Sequence, residues 1–179
     1  MSTPPTNATV TSTVYVLDPG LSRFTAKAFA TGLLASMGHS PSFAIRQYTG
    51  EAAFRADAPE QSSLRMVVQS GSLELSDQVS EKDRREIEGT MRKEVLETSR
   101  FPEIVFEASN PSMSKGGETL YWANITGKLT LHGVTQAQQI TAQVSVTGNQ
   151  LRPGSTKARA MSSKVITPCI AIIQPRRVP

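Results

Sequence analysis

The sequence predicts a mainly β protein, in which antiparallel strand pairs build an enclosing sheet and one long α-helix interrupts them. Three observations carry this. Short segments alternating apolar and polar residues recur roughly every eight to twelve positions, separated by turn residues. The stretch 127–135, Gly-Lys-Leu-Thr-Leu-His-Gly-Val-Thr, alternates and then breaks at His132-Gly133. Beyond it Ile140, Ala142, Val144 and Val146 resume the alternation, with Thr141, Gln143 and Ser145 opposite. That pattern is a hairpin with one apolar and one wet face. Finally, one charged segment changes period: Ile87, Met91 and Val95 recur at i, i+4 and i+8, which is the stripe of an amphipathic helix.

In chain order, residues 1–12 are rich in Thr, Ser, Pro and Asn and read as a flexible lead. A strand follows at 13–17, and Asp18-Pro19-Gly20 supplies turn chemistry. Phe24, Ala26, Ala28 and Ala30 then alternate with Thr25, Lys27 and Phe29, and the face with Phe24 is mostly alanine, which leaves room. Residues 32–38, bracketed by glycines, read as a short helix or apolar loop able to close one end of the sheet. Strands are expected at 42–48, 50–56, 63–69 and 71–75. The helix spans 80–98, with Ser80 and Asp83 spaced as a capping box that uses Asp in place of Glu. Pro102 fixes its exit, and strands resume at 103–108, 119–131 and 138–147. After Gly148 no period is sustained, and Pro153, Pro168, Pro175 and Pro179 argue against a central strand.

The chain has 179 residues, with 38% hydrophobic and 19% charged, which suits one globular domain with a substantial core. Its net charge of +4 is unevenly spread. Arg152, Lys157, Arg159, Lys164, Arg176 and Arg177 stand in 151–179 without any acid. Residues 1–150 hold 13 basic against 15 acidic groups and carry −2. A nucleic-acid reading therefore fits the folded part poorly, and no nucleic-acid partner is expected. No apolar run approaches the ~20 residues of a membrane-spanning helix. Cys169 stands alone, so no intrachain disulfide forms. The first residues have neither a basic stretch nor an apolar one, so a cytoplasmic location is expected.

Three segments in order carry a family resemblance. Residues 15–24 (Tyr-Val-Leu-Asp-Pro-Gly-Leu-Ser-Arg-Phe), 101–109 (Phe-Pro-Glu-Ile-Val-Phe-Glu-Ala-Ser) and 127–135 resemble the opening strand, the post-helix strand and the signature hairpin of the YceI-like family. The likeness covers residues 13–150. It implies a lipocalin-like antiparallel β-barrel of about eight strands, a polyisoprenoid or isoprenoid quinone-like lipid as bound ligand, and a homodimer. Many relatives of this type are exported, which sets the missing signal apart. The family is also expected to close its barrel with two more strands, one bearing a Gln-Ser-Asp-Tyr-like motif. The basic tail 151–179 lacks it, which leaves closure of the barrel in question. One codon choice for residues 163–167, AGC AAA GTG ATT ACN, encodes that motif when read one base out of register. The tail is accordingly expected to be out-of-frame sequence, which sequencing the gene would check.

Catalytic and metal chemistry find no support in the spacing. His39 and His132 are the only histidines, and neither pairs at a ligand spacing with the other, with Asp18 or with Cys169. Both read as loop or turn residues, His132 bonding locally at a strand end. Ser40 beside His39 does not align a nucleophile with a base, and no nucleophile elbow is present. The helix charges, with Glu81–Arg85 and Glu88–Arg92 at i, i+4, read as a solvated face. No catalytic residue, metal or cofactor is expected.

What remains is the inward face. By parity the lining is Phe24, Ala26, Ala28, Phe43, Ile45, Phe54, Met66, Val68, Ile104, Phe106, Leu129, Leu131, Val144 and Val146. On the resemblance, these bind an isoprenoid lipid or isoprenoid quinone precursor for transport, storage or sequestration, without catalysis. A chain of about forty carbons at ~0.3 kcal/mol per heavy atom would gain ~12 kcal/mol before ordering costs. The rival is a solid barrel that serves as a stress-response accessory protein through its surface or helix 80–98.

Overall fold

The computed structural model describes residues 13–20, 22–28, 41–148, 150–159, 167–169 and 175–177. The predicted cap at 32–38, His39 and Ser40 lie outside these. The alternating segments become β1 (Thr13–Leu17), β2 (Phe24–Lys27), β3 (Ser42–Ile45), β4 (Tyr48–Phe54), β5 (Ser63–Gln69) and β6 (Leu73–Leu75). After the helix come β7 (Glu103–Ser109), β8 (Ser112–Lys115), β9 (Leu120–Leu131) and β10 (Val134–Thr147). β8, which the sequence pattern does not announce, pairs with the start of β9. Asp18 makes the first turn as its composition suggests, its carboxylate accepting from the Gly20 N–H at 2.8 Å.

The tail departs from expectation. It supplies β11 (Gln150–Arg159), β12 (Thr167–Cys169) and β13 (Pro175–Arg177). β11 lies inside the sheet between β10 and β12, where a central strand had been argued against. Pro153 is accommodated because it pairs with Val144 where the register shifts between Ala142 and Val144, and an irregularity tolerates a missing N–H. Pro175 begins a strand at the sheet's edge, the other position that tolerates proline. β10, fourteen residues long, offers a long template edge, and hydrogen bonding to it does not need side-chain alternation.

All described strands join one antiparallel sheet in the order β13-β1-β4-β5-β7-β9-β10-β11-β12-β2-β3-β6. The sheet curls into a nearly closed barrel, since strands from β1 to β11 turn side chains to one interior. The outside is wet. Glu51, Arg65, Glu107 and Lys128 form one cross-strand row of alternating charge, with Arg65 Nε 2.9 Å from Glu107 Oε1.

Helix α1 (Glu81–Thr90) continues as a π-turn over Met91–Val95. Ser80 caps it by accepting from the Asp83 N–H at 3.2 Å, as the box spacing predicts. Ile87 and Met91 of the predicted stripe, with Leu96, are buried against Leu17, Phe43, Leu73 and Leu75, so the helix plugs one end of the barrel. Its charges do more than face solvent. Glu88 accepts from the Leu75 N–H at 3.0 Å, and Arg84 donates to the carbonyls of Leu75 and Asp77. These are backbone groups of the last strand in the sheet and the turn after it. An edge that would invite another chain is thus covered by side chains. Glu88 also pairs with Arg92 at 3.0 Å, whereas Glu81 meets Arg84 at 3.8 Å rather than Arg85.

Candidate ligand cavity

The inward-facing residues form rows across the sheet. One row runs Met66, Phe106, Leu129. The next runs Ala52, Leu64, Ala108, Gly127, Gln138. The second row is mostly small, so the facing walls do not meet, and a cavity of about 210 Å³ remains. The interior of the described barrel is therefore hollow rather than solid. Gly127 is required where it stands. A Cβ there would lie 2.5 Å from the Phe106 ring and 2.6 Å from the Glu107 carbonyl oxygen, so the missing side chain is the space that ring occupies.

The lining is almost wholly apolar. Among the described lining residues only Thr25, Ser62, Ser63 and Gln138 carry polar side chains, and none is ionisable. Ser62 is committed, its Oγ accepting from the Arg55 N–H at 3.3 Å. Gln138 is 4% exposed, and its Nε2 donates to the Gln139 carbonyl at 3.0 Å. Such a surface holds oily guests by area rather than by any single contact.

The signature turn is tied to the plugged end. His132 and Gly133 both have positive φ, 52° and 72°, the conformation of a tight two-residue hairpin. A Cβ on Gly133 would come within 2.6 Å of the Phe101 ring, so the turn lies flat on that ring. The imidazole of His132 tilts over Phe101 with centroids 4.5 Å apart and places Nε2 2.7 Å from Glu97 Oε1. His132 is thus a turn residue, as expected, but its bond is not local: it spans 35 positions to the end of the helical segment. Glu97 itself adopts φ 44° and is 3.6 Å from Arg100.

These are the three segments whose order was noted in the sequence, now placed around one apolar interior. The chain matches the YceI-like domain over residues 15–167. It belongs to the YceI-like family. The match extends past residue 150, at which the sequence reading ends the barrel. Among solved structures it is similar to Burkholderia cenocepacia BcnA, with 18% identity, 79% of this chain and 77% of that one covered, and a TM-score of 0.58. It is also similar to a polyisoprenoid-binding domain from Saccharophagus degradans implicated in plant cell wall breakdown, with 14% identity, 82% and 74% covered, and a TM-score of 0.53. At these identities the likeness is one of fold. No curated protein matches the chain.

Within this YceI-like barrel, the predicted lining residues other than Ala28, Phe43 and Val146 face the cavity. Ala28 and Phe43 are on the right face but are packed solid with the helix end, because β3 lies beside β6 and under α1. Val146 packs in a second cluster with Tyr15, Phe54 and Leu151. The prediction omitted Leu17, Ala52, Leu64, Ala108, Ala123, Ile125, Ile140, Ala142 and Gln138, among others at the wall. Parity identifies most of these. Gln138 shares the parity of Ile140 and Ala142, and only its polarity hid it. Tyr48 closes the helix end of the same interior. It stands edge-on to Phe24 at 4.6 Å, and its hydroxyl donates to the Ser22 carbonyl at 2.7 Å. Burial pushes its pKa upward, with nearby Arg23 opposing. Among the described residues no His, Cys, Asp or Glu group is placed to hold a metal ion, and no helix is long and apolar enough to cross a membrane.

Proposed function

We propose that this chain binds an isoprenoid lipid or isoprenoid quinone precursor inside its barrel and carries, stores or sequesters it without chemical change. The observation that carries the reading is the hollow itself: an unfilled interior whose described walls are apolar and free of ionisable groups. A cavity left empty costs stability, so an interior of this size is best understood as space for a guest. Membership of the YceI-like family supports the same reading, as does the similarity to a structure described as polyisoprenoid-binding.

The volume bears on chain length. About 210 Å³ is not much larger than the ~150 Å³ apolar cavity that takes up one benzene, so the enclosed part holds roughly eight heavy atoms of a lipid. One or two isoprene units fill it, and a chain of about forty carbons would have to extend beyond it. At ~0.3 kcal/mol per atom the enclosed part contributes ~2–3 kcal/mol before ordering costs, about a fifth of the gain expected for the full chain. The test is extraction: gently purified protein is treated with organic solvent and the extract analysed by mass spectrometry. A stoichiometric isoprenoid is the expected result, and protein that is empty and takes up no added isoprenoid sinks the proposal.

A further inference from the structure

We infer that the guest chain leaves the barrel across the inner face of the signature hairpin, with Val134 as its threshold. This rests on reading the cavity as a lipid site, and it follows from size. The enclosed part holds roughly eight heavy atoms, so most of a long isoprenoid has to lie outside it, against some other apolar surface. Cross-strand pairing shows where the wall runs on. Leu131 and Leu129 line the cavity, and they stand opposite Val134 and Gln136 on β10. Directly opposed residues point to the same face of a sheet, so Val134 and Gln136 prolong the inner wall. Yet both are exposed, Val134 at 54%. The reason is the register: β11 pairs with β10 only from Gln139 onward, and among the described residues no strand borders 134–138 on that side. One exposed valine is ordinary on a surface. This one is the open end of an apolar wall that begins inside the cavity. The tip is also held in place, because His132 Nε2 is 2.7 Å from Glu97 Oε1 and a Cβ on Gly133 would meet the Phe101 ring. The end of the barrel away from the helix offers less. Phe54, Ala123 and Leu151 are buried there, and Tyr121 stands edge-on to Phe54 at 5.6 Å.

Length separates the possibilities. Delipidated full-length protein is titrated with two alcohols: ten-carbon geraniol, close to what the enclosed room holds, and twenty-carbon geranylgeraniol, which has to protrude. Val134→Thr keeps the β-branched shape suited to a strand. In that variant geranylgeraniol should bind about fivefold more weakly, the loss of part of one valine's burial, and geraniol should stay within about twofold of the natural chain. Geranylgeraniol is also prepared with a photoreactive diazirine, in one form at the hydroxyl end and in another at the opposite end. One of the two forms should label residues 129–136 of the natural chain. Equal losses for both alcohols, or none for the longer one, overturn the inference and leave the lipid reading standing. So does labelling by both forms that is confined to Ser62, Ser63, Pro111 and Met113, wall residues of the end away from the helix. Failure of both alcohols to bind overturns the lipid reading and the inference with it. Labelling of the natural chain decides the matter even if the variant does not fold.

Discussion

The two halves of the barrel interior obey the same alternation yet end differently. At the helix end, Phe43, Leu73, Met91 and Leu96 are all at or below 2% exposed and pack as a solid core. In the middle, Ala52, Ala108, Ala123 and Ala142 occupy equivalent inward positions and leave a hollow. Backbone geometry does not distinguish the halves; side-chain volume and the helix do. One end stabilises the protein, and the other gives up part of that stabilisation to hold space.

Substitutions can break this contrast. The largest effect is expected from Phe43→Ala, which removes a ring with no exposure and should cost ~3–5 kcal/mol in urea unfolding. Leu129→Ala, already beside empty space, should cost no more than ~2 kcal/mol, since fewer contacts are lost. Equal costs would show that the hollow is not a hollow. Next in size, Leu131→Arg sets an unpaired charge at the wall where cavity and core meet. Retained lipid, measured in solvent extracts, should fall at least about tenfold in a variant that still folds; undiminished retention would remove that face from the lining.

A matched pair sharpens the comparison further. Ala28→Phe overfills the packed end and should cost ~1–3 kcal/mol. The same change at Ala108 should alter stability by less than ~1 kcal/mol, because the ring enters free space, while excluding most of the lipid. The smallest effect is electrostatic. Tyr48 has a raised pKa because it is buried. The unfolded chain therefore releases that proton first, and the stability tied to the neutral phenol is fully present below pH ~10. It is lost as pH rises through the folded-state pKa. Urea midpoints from pH 8 to 11 should decline less steeply in Tyr48→Phe than in the natural chain, beside a uniform loss of about 1 kcal/mol for the bond to Ser22. Parallel slopes would show the phenol does not titrate as a buried group.

Much of this was legible in the chain. β1 and β5 lie where alternation places them, and Ser80 caps the helix as its spacing with Asp83 suggests. The cavity wall follows largely from parity, since a strand shows alternate residues to one side. Legibility fails where hydrogen bonding outweighs pattern. Residues 150–159 have no useful alternation, yet they pair with β10 because a long edge accepts any backbone that can bulge at a proline. The bond from His132 to Glu97 was illegible for another reason. Nothing local indicates that a hairpin tip and the end of a helical segment, 35 residues apart, will meet.

The sequence by itself determined the periods, the turns and the parity of each strand, because these depend on neighbours within a few residues. Only the tertiary structure decided which inward side chains touch and which face a void, because that depends on how strands distant in sequence curve together and where the helix settles. Gln138 shows the division plainly: its parity was written in the chain, and its burial beside empty space was decided by the closing of the barrel.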